Sequence, residues 1–236
     1  MSLLSRLFER GARLTPGQRR RLDAWWGLDD PDLDSGHLLT RFVSVDVEST
    51  GLNVFSDHLI AIGAVAISDS RIAFDSSFYS VLRQEQASSD ENILVHGIGG
   101  TSQTEGGDPP DVLLDFLEFI GTAPLVGFHT AFDEAMIRKA MRRYLGEKFD
   151  RQWLDLGWLA PAALPEYAKS FRSLDDWTEA LGILNVRRHD ALADALATAQ
   201  LFQVLQHRTS EKGVHSAREL LETARSQEWL AKQRRR

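Results

Sequence analysis

The chain has 236 residues, enough for one large domain with extensions or for two small domains, and its 43% hydrophobic and 26% charged residues are ordinary for a globular protein. It has no cysteine, which excludes disulfides, thiolate metal sites and a cysteine nucleophile. The net charge of −7 argues against a broadly basic nucleic-acid binder, but residues 1–22 hold six Arg and one Glu, +5 against −12 in the remainder.

No apolar run approaches the roughly 18 residues that a membrane span needs, so no membrane association is expected. The N-terminus lacks the continuous apolar core of a secretory signal, and a cytoplasmic location is the expectation. Residues 1–38 read as a helical extension. Leu3, Leu4, Leu7 and Phe8 share one helical face. Thr15-Pro16 reads as a helix start, with Thr as N-cap and Pro in the first turn, and Asp29-Asp30-Pro31 ends that helix. Arg19, Arg20 and Arg21 are expected on its solvated face, and Trp25 and Trp26 against the main domain.

The main domain is expected over 39–210. Its first strand, about 41–49, alternates apolar and polar residues. Apolar runs over 59–67 and 72–82 follow after short loops, which predicts an antiparallel meander. A short helix is predicted over 92–98, then a loop over 99–110 rich in Gly, Pro, Ser and Thr. Val112, Leu113, Phe116 and Ile120 have helical spacing, 125–128 is a short buried strand, and Phe132, Met136, Ile137, Ala140 and Tyr144 form a helical stripe. A fifth strand is placed at 153–156. Helices are expected over 157–164, 173–182, 190–207 and 215–231, with a frayed tail. This order makes an α/β protein, a mixed sheet covered by helices.

On the first strand Val43, Val45 and Val47 share one face, and Asp46 and Glu48 share the other, roughly 7 Å apart. Two carboxylates on a mostly apolar strand repel each other and lose hydration. A bound divalent cation removes both costs. A solvated polar face on an edge strand is the alternative. Asp133 falls in the first turn of the helix after 125–128, a position that also suits an acid for its dipole alone. Asp190 reads as the N-cap of the long helix 190–207. Asp194 lies among Ala191, Leu192, Ala193, Ala195 and Leu196, where a carboxylate without a partner is costly. His189 lies just outside that helix.

Taken together, Val45-Asp46-Val47-Glu48-Ser49-Thr50-Gly51-Leu52, the stretch from Leu125 to Phe132-Asp133, and His189-Asp190-Ala191-Leu192-Ala193-Asp194 resemble the three motifs of the DEDD superfamily of 3′–5′ exonucleases. The His resembles that of the DnaQ-like (DEDDh) branch, which includes the proofreading epsilon subunit of bacterial DNA polymerase III. The resemblance covers about 40–207. In one departure, Phe128 and His129 stand where the family often has His-Asn. His129 is therefore read as local structure or a substrate contact.

The resemblance implies a ribonuclease H-like fold with a five-stranded mixed sheet flanked by helices. It implies two divalent metal ions, Mg²⁺ or Mn²⁺, held by Asp46, Glu48, Asp133 and Asp194, with His189 as general base. Thr50, Gly51, Leu52, His96 and Phe132 are the expected contacts to the substrate, and Arg138, Arg142, Arg187 and Arg188 are candidate phosphate contacts. The expected partner is a nucleic acid with a free 3′ end, DNA before RNA. A non-catalytic nucleic-acid-binding module is the other class, but it predicts lost acids, and all four are present. A polymerase or clamp partner through residues 1–38 is a further expectation. Leu3, Leu7 and Phe8 weakly resemble a clamp-binding peptide without its usual Gln.

Overall fold

A computed structural model describes residues 14–234. The apolar face expected at Leu3, Leu4, Leu7 and Phe8 lies outside them. In chain order the elements are α1 (Pro16–Trp26), β1 (Phe42–Ser49), β2 (Leu59–Ser68), β3 (Arg71–Val81), α2 (Asp90–His96), α3 (Gly100–Thr104), α4 (Pro109–Ile120), β4 (Leu125–Gly127), α5 (Ala131–Tyr144), β5 (Trp153–Asp155), α6 (Leu156–Ala163), α7 (Leu174–Ala180), α8 (Ala191–Ser210) and α9 (Ala217–Arg234). The strands form one five-stranded sheet in the order β3-β2-β1-β4-β5. β1, β2 and β3 pair antiparallel, and β4 and β5 join parallel, so the sheet is mixed as expected. Asp69 and Ser70 both take positive φ, which lets a two-residue turn join β2 to β3 without splaying them.

The alternation of β1 divides the core in two. Val43, Val45 and Val47 pack with Leu113, Phe116, Met136 and Ile137 of α4 and α5. On the opposite face Phe42, Val65 and Val126 pack with Leu159, Phe202, Leu205 and Leu220 of α6, α8 and α9. α1 joins the first of these clusters through Leu22 and Trp25. Thr15 caps α1 as expected, in a reciprocal box with Gln18. Trp25 is buried, and its Nε1 donates to the Gly121 carbonyl at 2.9 Å. Trp26 is half exposed, so only one of the pair packs inward. Arg21 pairs with Asp115 and Glu118 of α4 at 2.5 and 2.7 Å rather than lying free in solvent.

Several expected boundaries change. α3 forms inside the stretch expected to be a loop, because Gly99 serves as its N-cap and the buried Gln103 bonds to the Ile98 carbonyl and to Ser88. α2 begins at Asp90 because Ser89 caps it, and ends at His96 because Gly97 turns left-handed at φ +71°. α9 continues to Arg234, three residues into the stretch expected to fray, whose last two residues lie outside the described ones. Among the described residues, no helix is long and apolar enough to cross a membrane.

One contact fixes how α8 meets the sheet. Gly63 on β2 stands opposite Asp46 on β1, and cross-strand partners share a face. A Cβ on Gly63 would lie 2.2 Å from the backbone of Ala191, the first residue of α8. The missing side chain therefore lets the start of α8 touch the sheet beside Asp46. Gly63→Ala should cost about 1–3 kcal/mol by overpacking, measured by urea unfolding. Stability equal to that of the parent would mean that α8 has slack at this point.

Candidate active site

β1 is longer than its parallel neighbour. β4 pairs only with Val43 and Ser44, so the C-terminal half of β1 has no strand on that side. Asp133, in the first turn of α5, fills part of the gap: its Oδ1 accepts the Val47 N–H at 3.2 Å. Asp133 is buried. The corner between β4 and α5 is held separately. His129 takes φ +58°, its N–H is accepted by Asp155 Oδ1 at 2.9 Å, and its Nε2 donates to the Arg172 carbonyl at 3.0 Å. These bonds support the reading of His129 as local structure.

The other acids come from α8. Asp190 caps it, accepting the Ala193 N–H at 3.1 Å. Asp194, one turn on, is buried and takes three donors: the His189 N–H at 3.0 Å, Arg188 Nη1 at 2.5 Å, and the Asn185 amide. Arg188 also pairs with Asp175 at 2.6 Å. His189 sits at φ +58°, and this left-handed step between Arg188 and the cap lets the backbone fold over the Asp194 carboxylate. Asp46, Glu48 and Asp194 offer carboxylate oxygens that all lie within 4.8 Å of one another. Asp133 lines the same cleft but is not in that mutual set.

The electrostatics follow from this crowding. Burial, together with the charges of Asp133, Asp194 and Glu48, holds the Asp46 carboxyl well above its usual range. Burial and the nearby Asp194 push Glu48 up to about 8. Burial pushes Asp133 up to about 7, against the two backbone N–H groups that favour its charged form. The donor set is oxygen from carboxylates with no sulfur, which suits hard divalent cations such as Mg²⁺ or Mn²⁺.

The cleft around these acids has a volume of about 900 Å³. Thr50, Gly51, Leu52, His96, Phe132 and His189 all line it. Thr50 Oγ1 donates to Asp57 at 3.2 Å and accepts the His58 N–H at 2.9 Å. His96 is buried with both ring nitrogens engaged: Nδ1 accepts the Ile98 N–H and Nε2 donates to Asn92 Oδ1, each at 2.9 Å. It therefore has no free ring nitrogen to offer the cleft. Of the four candidate arginines, Arg188 is committed to Asp194 and Asp175. Arg138 is committed to Glu134 and the Phe149 carbonyl. Arg187 lies 3.5 Å from Asp190, and Arg142 is exposed. Asn185 and Gly63 were not singled out from sequence. A Gly inside a strand marks a close backbone approach in general, whereas an Asn nine residues before its partner leaves no local signal.

The RNase T family model, described as Exonuclease, matches residues 43–202, a span that contains all four acids and His189. The chain belongs to this exonuclease family. The epsilon subunit of DNA polymerase III from Aquifex aeolicus is 31% identical over 163 residues, covering 68% of this chain and 78% of that protein. The PolC-type DNA polymerase III of Thermotoga petrophila is 31% identical over 169 residues, which cover 72% of this chain. This chain matches only 12% of that relative's length. Among solved structures, E. coli Exonuclease I in complex with a dA16 oligonucleotide superposes with a TM-score of 0.63 at 16% identity, over 78% of this chain and 42% of that one. Exonuclease X in complex with 5′-overhanging duplex DNA gives 0.59 at 19%, over 78% of this chain and 99% of that one. At these identities the two structures show a shared fold.

The raised carboxyl groups make the metal-free exonuclease pH-sensitive. A carboxyl whose folded pKa exceeds its unfolded value binds protons more tightly in the folded state, so stability falls as pH rises between the two values. For Glu48 that window runs from about 4.5 to about 8. Glu48→Gln should therefore raise the melting temperature in EDTA at pH 8.5 by about 2–8 °C, with the gain fading toward pH 5. A melting curve unchanged at pH 8.5 would mean that Glu48 carries no penalty in the fold.

Proposed function

We propose that this exonuclease removes mononucleotides from the 3′ end of DNA, with two divalent ions held by Asp46, Glu48, Asp194 and Asp133 and with His189 as general base. The observation that carries the reading is the convergence of Asp46, Glu48 and Asp194 within 4.8 Å at the floor of an open cleft. The naming of two relatives as DNA polymerase III components supports DNA before RNA. When bound, the ions would neutralise charge on the attacked phosphate and acidify the attacking water.

The chain's own residues account for the rest. Asp46 is central in the cluster and would serve both ions, Glu48 and Asp194 would complete one site, and Asp133 would act directly or through water. His189 is exposed on the cleft wall, where its imidazole would take the proton from the water as general base. The oxygen of that water bonds to phosphorus, the bond from phosphorus to the preceding 3′ oxygen breaks, and that oxygen is protonated from solvent. Thr50, Gly51, Leu52 and Phe132 would surround the terminal nucleotide. In this reading residues 39–210 carry the chemistry. The described parts of the two extensions, 14–38 and 211–234, brace it, as the burial of Leu22, Trp25 and Leu220 supports.

The test is a 5′-labelled single-stranded DNA, with RNA of the same sequence in parallel, incubated with Mg²⁺ or Mn²⁺. A ladder shortening from the 3′ end is expected, faster on DNA. Asp46→Ala should abolish it, and His189→Ala should slow it about 10²–10⁴-fold. No cleavage of either polymer with either metal would reject the proposal. Faster cleavage of RNA would move the substrate to the ribonuclease relatives.

A further inference from the structure

The loop 50–58 between β1 and β2 is held more firmly than its exposure requires. Lys139 Nζ donates to the carbonyls of Val54, Phe55 and Asp57 at 3.1, 2.9 and 2.7 Å. The Asp57 carboxylate accepts from Thr50 Oγ1 and from the Asn53 N–H, the latter at 2.8 Å, and Asn53 Oδ1 accepts the Phe55 N–H at 3.0 Å. Gly51 leaves room for this, because a Cβ there would lie 2.5 Å from Asp57 Oδ2. The braced loop nevertheless displays Leu52 and Phe55, which are 88% and 90% exposed. An exposed apolar side chain is common on any protein. A lysine and an aspartate spent on fixing the backbone beneath it are not.

The surroundings of the loop indicate what it meets. Thr50 lines the catalytic cleft and also a second hollow of about 510 Å³, which His58, Arg83, Arg143 and Tyr144 line. Arg143 faces only a distant carboxylate, Glu85 at 3.9 Å, and Glu85 is 95% exposed, so that pairing neutralises little. Arg143 Nη1 donates to His58 Nδ1 at 3.4 Å, leaving the imidazole with an N–H donor. Arg83 on the same wall is tied to Asp108 at 2.5 Å and Glu85 also lines the hollow, so Arg143 is the cation there left to meet a phosphate, next to a cleft that shares Thr50 with it. Arg143 lies ten residues along α5 from Asp133, about 15 Å at the helical rise of 1.5 Å per residue. That distance exceeds the length of one nucleotide, so Arg143 lies upstream of the terminal one.

We propose that the single strand upstream of the 3′-terminal nucleotide crosses this loop, with a base stacked on Phe55 and an upstream backbone phosphate held by Arg143. The assignment rests on the reading of the cleft as a 3′-end site. A fixed aromatic beside a cationic groove is the arrangement by which proteins hold single strands without reading sequence. Arg143, rather than the committed Arg138 and Arg188, is then the backbone contact.

The test is fluorescence anisotropy with full-length protein carrying Asp46→Asn, so that the strand survives, titrated into 5′-labelled dodecathymidylate and trithymidylate. Phe55→Ala should weaken dodecamer binding tenfold or more and trimer binding less than threefold. Arg143→Ala should also weaken the dodecamer, and should reduce the slope of log affinity against log salt by about 0.7. Leu39→Ala, an exposed apolar change outside the cleft, is the control and should alter neither. Dodecamer affinity within twofold of the parent in both variants, or equal losses on trimer and dodecamer, would overturn the platform. Failure of the parent to bind the dodecamer at all, with Phe55 serving a protein partner instead, would overturn it too. Lack of cleavage by the protein with Asp46 intact would count against the exonuclease reading alone, since the titration needs no turnover.

Discussion

Bringing the carboxylates of Asp46, Glu48 and Asp194 within 4.8 Å of one another costs free energy, and much of the local architecture offsets that cost. Like charges at this spacing repel, and partial burial removes the water that would screen them. Burial and the neighbouring acids hold the Asp46 and Glu48 carboxyls above their ordinary range. Asp194 is held by its partners: Arg188, Asn185 and the His189 N–H all donate to it. Two acids are therefore held under electrostatic strain and a third is pinned in place beside them. A divalent cation relieves the strained pair without having to position the pinned one.

The sheet supplies the place for this. Ligand crevices in open α/β sheets lie beyond the carboxyl ends of strands, where neighbouring strands diverge. Here the divergence is the shortness of β4, which leaves β1 after Ser44, and the Val47 N–H that a longer β4 would have taken is met by Asp133 instead. The same carboxylate thus satisfies a backbone donor and adds negative charge to the cleft. On the other edge of β1, Gly63 admits the backbone of Ala191, so that Asp194 arrives one helical turn above Asp46. Filling either gap, with a longer strand or a side chain at Gly63, would separate the acids.

Features governed by local spacing were legible in the sequence. The alternation of β1, which carries Asp46 and Glu48, the Thr15 and Asp190 caps, the meander, and the helix first-turn positions of Asp133 and Asp194 follow from period and turn chemistry. The features that escaped are those whose partners lie far along the chain. α3 depends on Gln103 reaching back to Ser88 and Ile98, and Trp26 stays out because only Trp25 finds the Gly121 carbonyl. Arg188 and Arg138 looked like free cations because a sequence does not show which carboxylate a guanidinium will meet. Gly63 was visible as a glycine in an apolar strand, but the backbone it accommodates belongs to a helix well over a hundred residues later.

The commitment of arginines to internal carboxylates also bears on how this acidic chain meets a polyanion. Arg21, Arg138, Arg188 and Arg218 are each tied to acids of the fold. The cleft itself is lined by Asp46, Glu48, Glu91, Asp133 and Asp194 against a single arginine that is already paired. Without cations such a cleft repels a phosphodiester, and with them its field reverses locally. The positive charge that remains for the rest of a strand lies outside the cleft, around Arg143 and the loop fixed by Lys139. On the proposed path of the strand, affinity would come from a few phosphates and stacked bases rather than from a broad basic surface. Such a footprint gives a shallow dependence on salt compared with proteins that neutralise six to ten phosphates.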